Sequence, residues 1–78
     1  MNTSWAGKRY WTTPMQDNAD GYVGLRLHED AKGAEVAVAE IVFWDASGQF
    51  YVKTLNHEVP LEVFESLIAE AKELLNAK

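Results

Sequence analysis

Cysteine is absent, cations are outnumbered and no long apolar run occurs, and each shortage removes a class of answers. Without Cys there is neither a disulfide nor a thiolate zinc site to hold a small domain together. Seven Lys and Arg stand against twelve Asp and Glu, a formal net charge of -5. A balance of that sign opposes binding to a polyphosphate unless the few cations are gathered in one place. The longest apolar stretch is cut by Glu40, and the N-terminal MNTSWAGKRYW has no apolar run long enough for a signal peptide or a membrane span. A cytoplasmic protein without a membrane partner is expected. There is no glycine-rich phosphate loop, no G-x-S-x-G and no H-E-x-x-H. The expectation is therefore a non-enzyme with no catalytic, cofactor-binding or metal-ligating residues.

What is present points to one small domain. The chain has 78 residues, a length at which folding buries roughly 60% of the surface, and self-association is the remaining route to added stability. The stretch 35–44, EVAVAEIVFW, is apolar at odd and even positions alike except for Glu40, the pattern of a central strand covered on both sides. The phrase Asp-Ala-x-Gly brackets it, as Asp30-Ala31-Lys32-Gly33 and Asp45-Ala46-Ser47-Gly48, and both turns suit hairpins. Residues 22–28 (YVGLRLH) alternate strictly, and 49–55 (QFYVKTL) read as the following strand. Residues 8–13 (KRYWTT) form a first strand that stops at Pro14, and 14–21 form a surface loop. Beyond Pro60, apolar residues Leu61, Phe64, Leu67, Ile68, Ala71, Leu74 and Leu75 recur at three- and four-residue steps, an amphipathic helix. The expected fold is α+β: a four-stranded antiparallel meander (ββββα) with one C-terminal amphipathic helix on one face. Residues 1–7 are expected as a flexible arm and 8–78 as the single domain.

Registering the hairpins identifies a second face. With a Gly bulge in each turn, Asp45 stands opposite Gln49 and Asp30 opposite Ala34. Cross-strand partners share a face, so Val23, Leu25, Leu27, Ala37, Ala39, Ile41, Phe43, Tyr51 and Leu55 gather under the helix, with Lys53 among them. The opposite face then holds Tyr22, Gly24, Arg26, His28, Val36, Val38, Glu40, Val42, Trp44, Phe50, Val52 and Thr54. So much contiguous apolar surface marks a partner site. The candidate interface is Tyr22, Val38, Val42, Trp44, Phe50 and Val52, covered by a second copy in a homodimer, by another protein, by a ligand, or by the arm with Trp5, Tyr10 and Trp11.

Glu40, the one charge in the apolar run, calls for a partner, and Arg26 one diagonal step away is the economical choice. Such a pair fixes register. It also outlines a polar niche of Arg26, Glu40 and Thr54 near Gly24 and Tyr22 that could take a small ligand. His28 and His57 fall on separate elements, and the acidic loop 14–21 lacks the ligand spacing of an EF-hand. The aromatic load, with Lys8, Arg9 and Arg26 beside it, gives single-stranded nucleic acid as an alternative partner, disfavoured by the net charge. In its order of elements, four strands and then a helix, the chain resembles the repeat unit of the PUR and Whirly single-strand-binding folds, a likeness of topology that covers no residue motif. The leading expectation is a small non-catalytic interaction module acting through the sheet face opposite the helix.

Overall fold

The computed structural model describes residues 1–75. Among these, five strands precede one helix: β1 (Asn2–Trp5), β2 (Lys8–Asp17), β3 (Tyr22–Ala31), β4 (Ala34–Trp44), β5 (Gln49–Thr54) and α1 (Leu61–Leu75). The strands lie in the sheet in chain order, each antiparallel to the next. The antiparallel sheet with a C-terminal helix is the expected α+β arrangement, but it has five strands where four were expected. The extra one comes from residues 1–7, expected as a flexible arm. Asn2–Trp5 folds back on β2 through Ala6 and Gly7, whose φ of 52° and 79° make a two-residue type I′ turn. Residues 76–78 of the expected domain, and the side chain of Leu75, lie outside the described residues.

β2 runs through Pro14 to Asp17 instead of stopping at the proline. The Thr12 N–H donates to the Met1 carbonyl at 3.1 Å, toward the β1 side. Two residues on, Pro14 presents its missing donor to that same side, past the last β1 pairing at Asn2 and Trp11. A proline is accommodated there without breaking the ladder to β3.

The two Asp-Ala-x-Gly phrases do different things. In the first, Lys32 (φ 56°) and Gly33 (φ 82°) make a two-residue I′ loop, with Ala31 opposite Ala34. In the second, Asp45 to Gly48 all lie in a four-residue loop, with Trp44 opposite Gln49 and the Gly48 N–H donating to the Trp44 carbonyl. Pairing of β5 on β4 is thereby one residue off the expected register: Phe43 faces Phe50 and Ile41 faces Val52. A one-residue slip exchanges the two faces of a strand. Phe50, Val52 and Thr54 therefore point to the helix side, and Tyr51 and Lys53 to the open side. Within β4 the register also shifts between the pairs Leu27–Ala39 and His28–Ala37, leaving Val38 as the extra residue of a bulge. The bulge turns Val38 into the core, fully buried, and lets Val36 pack against that core, while Ala37 moves to the open side.

The core is Tyr10, Leu25, Leu27, Val38, Ala39, Ile41, Val63, Leu67 and Ala71. α1 lies over β3 and β4. Its buried stripe is Val63, Leu67 and Ala71, with Phe64 and Ile68 half-buried beside it, whereas Leu61 and Leu74 are 72% and 52% exposed. The expected stripe is thus rotated toward Val63. On the flank of the helix, Glu70 accepts from the Met1 α-amino group at 3.0 Å and from the Thr12 hydroxyl.

Candidate interaction face

The sheet face away from α1 is built in rows across the strands. Arg9, Asp30 and Glu35 make one end row, followed by Trp11, His28 and Ala37. The middle row is Thr13, Arg26, Glu40 and Lys53, the next Met15, Gly24, Val42 and Tyr51, and the far row Asp17, Tyr22, Trp44 and Gln49. The charged middle row thus separates the Trp11–His28 row from two adjacent aromatic rows that hold Tyr51, Tyr22 and Trp44.

Rings in the aromatic rows pack on one another across strands. Trp11 and His28 stack with centroids 5.4 Å apart and planes at 12°, the Arg9 guanidinium lies 4.7 Å from the Trp11 ring, and His28 Nε2 shares a 2.8 Å hydrogen bond with the Thr13 hydroxyl. At the far row Tyr22 and Trp44 meet at 4.9 Å with their planes tilted by 55°. Trp44 and Tyr51, with Ala46 and Ser47 of the β4–β5 loop, line a shallow recess of about 280 Å^3. Gly24 keeps the middle of the face low: a Cβ there would collide with the Ile41 carbonyl oxygen and lie 3.2 Å from the Val42 Cα.

The middle row holds the ion pair. Arg26 Nε donates to Glu40 Oε2 at 2.7 Å, with the Glu40 side chain 14% exposed. Glu40 stands directly opposite Arg26 on one side and Lys53 on the other. Arg26 pairs with the carboxylate and offsets the cost of its partial burial, and Lys53 is its register neighbour on the next strand. Thr54, expected in this niche, pairs with Ala39 on the helix side, so Arg26 and Glu40 are brought together and Thr54 is not.

The six candidate interface residues divide three ways. Tyr22, Val42 and Trp44 lie on the open face. Val38 is buried in the core. Phe50 and Val52 line, with Ile41, Ile68, Ala71 and Lys72, a cleft of about 170 Å^3 between β5 and α1. His28 lies on the open face as expected, whereas Trp11, Tyr51 and Lys53 belong to it and were not placed there from sequence. The signal for Trp11 was the alternation Arg9, Trp11, Thr13, Met15, which assigns a face once β2 is known to continue past Pro14, whereas Tyr51 and Lys53 follow only from the four-residue loop that sets the β5 register.

On the helix side Glu29 is a buried carboxylate. Its Oε1 accepts from Lys8 Nζ at 3.2 Å, and its Oε2 has no hydrogen-bond partner among the described residues. The hydrogen bond and charge of Glu29 hold the Lys8 ammonium above its ordinary range, and burial, then Glu29, raises the Tyr10 phenol. His57 is exposed, its Nδ1 donating to the Leu55 carbonyl. Among the described residues no three His, Cys, Asp or Glu side chains gather where a metal ion could be held, and no helix is long and apolar enough to cross a membrane. No protein-family model, curated protein or solved structure matches the chain.

Proposed function

We propose that the chain is a cytoplasmic, non-catalytic interaction module that binds a partner protein through the sheet face opposite α1, without a cofactor. The observation that supports this reading is the cluster of Tyr22, Val42, Trp44 and Tyr51 on a face over which none of the described elements lies, with Tyr51 52% exposed. Tyr, Trp and Arg are the residues enriched where protein interfaces concentrate their binding energy. The charges beside the cluster are of both signs, Arg26, Glu40 and Lys53, which suits a mixed protein surface better than a polyanion. The test is differential. Proteins retained from a lysate by the wild type and by Leu61→Glu, a change on the exposed flank of α1, are expected to be lost with Trp44→Glu. Equal retention by all three contradicts the reading.

A second reading is favoured by the layered Arg9, Trp11 and His28, since a cation over stacked rings is a platform for bases of a single strand. Asp30, 3.8 Å from the Arg9 guanidinium, and Glu35 stand in the same row as Arg9 and repel phosphate. Anisotropy with labelled oligo-dT at low salt decides: binding that weakens as salt rises supports this second reading, and no binding removes it.

A further inference from the structure

We propose that β5 pairs edge to edge with β5 of a second copy about a two-fold axis at Val52, joining the two five-stranded sheets into one. This inference concerns the sheet edge and stands apart from the reading of the open face.

The edge is unfinished in backbone terms. The Leu55 N–H donates to the Val38 carbonyl at 3.0 Å, so by the alternation of an antiparallel strand Tyr51 and Lys53 also turn their polar groups to β4. Phe50, Val52 and Thr54 then turn theirs outward, to a side where none of the described residues adds a further strand. Proteins blunt such an edge with a proline, a bulge, a very short strand or charged side chains, Lys above all. β5 has no proline, pairs with β4 without a register shift, and carries Lys53 as its one charge. The opposite edge, β1, is four residues long and carries Asn2, Thr3 and Ser4.

Side chains on both faces of β5 are left half-covered. Val52 is 51% exposed on the helix side and Tyr51 is 52% exposed on the open side. α1 sits over β3 and β4 and leaves the apolar cleft beside Val52 open.

A second copy fits because the strand is self-complementary about Val52. Antiparallel pairing sets Val52 against Val52 of the second copy and Phe50 against its Thr54, and these are the residues whose N–H and C=O groups point outward. On the helix side the two Val52 side chains meet at the axis and close the outer wall of each cleft. On the open side Tyr51 lies against Lys53 of the second copy, a ring beneath an ammonium, and Glu40 remains beside each Lys53. The assembly closes at two chains, because the pairing consumes both β5 edges and leaves outermost the short β1 strands and the part of β2 beyond them, which Pro14 interrupts. The two aromatic open faces become one continuous platform.

Because the chain has no Cys, an introduced thiol reports the geometry cleanly. Val52→Cys is expected to form an intermolecular disulfide under mild oxidant, since hydrogen-bonded antiparallel partners have Cα atoms about 5.5 Å apart, within disulfide reach. Tyr51→Cys and Lys53→Cys are expected to cross-link when mixed but not alone. In sedimentation the wild type is expected at twice the 8.8 kDa chain mass, and Val52→Pro at the single-chain mass with its circular dichroism unchanged, because the lost N–H faces away from β4. A wild type that stays a monomer overturns the proposal, and so does a Val52→Pro dimer. Loss of the dimer with Trp44→Glu but not with Val52→Pro also overturns it, placing self-association on the open face.

Discussion

Three side chains on the helix side tie the folded state to protons. Tyr10 is 1% exposed and Glu29 5%, and Lys8 reaches over both from β2. The Tyr10 phenol and the Lys8 ammonium are both raised, the first by burial and then Glu29, the second by its bond to Glu29 and the attending charge. In each case the folded chain keeps a proton that the unfolded chain has already released. Stability from both groups is therefore fully present at neutral pH and lost as pH climbs above about 10, the range in which unfolded Tyr and Lys titrate. Thermal melts from pH 8 to 11 are expected to show Tm falling through the top of that range. Tyr10→Phe is expected to fall less steeply over the same range, and a variant as steep as the wild type contradicts this assignment.

Elements show where pattern is enough to specify structure and where it is not. β3, β4, β5 and α1 were legible because strict alternation, a two-sided apolar run and a three-to-four spacing each have one solution. β1 was not, since Asn2–Trp5 is short and its turn uses Ala6-Gly7, where a hairpin normally advertises itself with Asn-Gly or Asp-Gly. The continuation of β2 was hidden by Pro14, whose harmlessness depends on where β1 ends. The bulge at Val38 left no trace either: in a strand apolar at every position an extra valine changes no pattern, yet it moves Val36 and Val38 from the open face to the core. Half of the candidate interface was lost to that bulge and to the one-residue slip of β5. The pair Arg26–Glu40 survived because the two-residue loop and the bulge each shift β4 along β3 by one residue, and the two shifts together keep Glu40 on its face while moving it from a diagonal position to directly opposite Arg26.

The same elements yield a stability test. Lys32 occupies the left-handed region, which costs an ordinary residue about 1 kcal/mol and an Asn less. Lys32→Asn supplies the preferred Asn-Gly of a type I′ loop, and it is expected to stabilise the fold by about 0.5–1 kcal/mol, raising Tm by about 3–6 °C. An unchanged or lowered Tm contradicts the two-residue loop between β3 and β4.

At the scale of the molecule, one helix is asked to cover too much sheet. α1 spans about 22 Å at 1.5 Å per residue, against a longest dimension of 38 Å. It closes β3 and β4 and leaves three surfaces unfinished: the open aromatic face, the cleft beside Val52 and the outer edge of β5. A chain of this size gains from completing them with another chain. Joining two β5 strands finishes the edge and the cleft together and sets two copies of the Tyr22, Trp44 and Tyr51 cluster on one surface.

Residue-resolved amide hydrogen exchange of the wild type at high and low protein concentration tests that claim most directly. Tyr51 and Lys53 are expected to be protected at both concentrations through their bonds to β4, with Phe50, Val52 and Thr54 protected at high concentration and exposed on dilution. Fast exchange at Phe50, Val52 and Thr54 at every concentration would contradict the account.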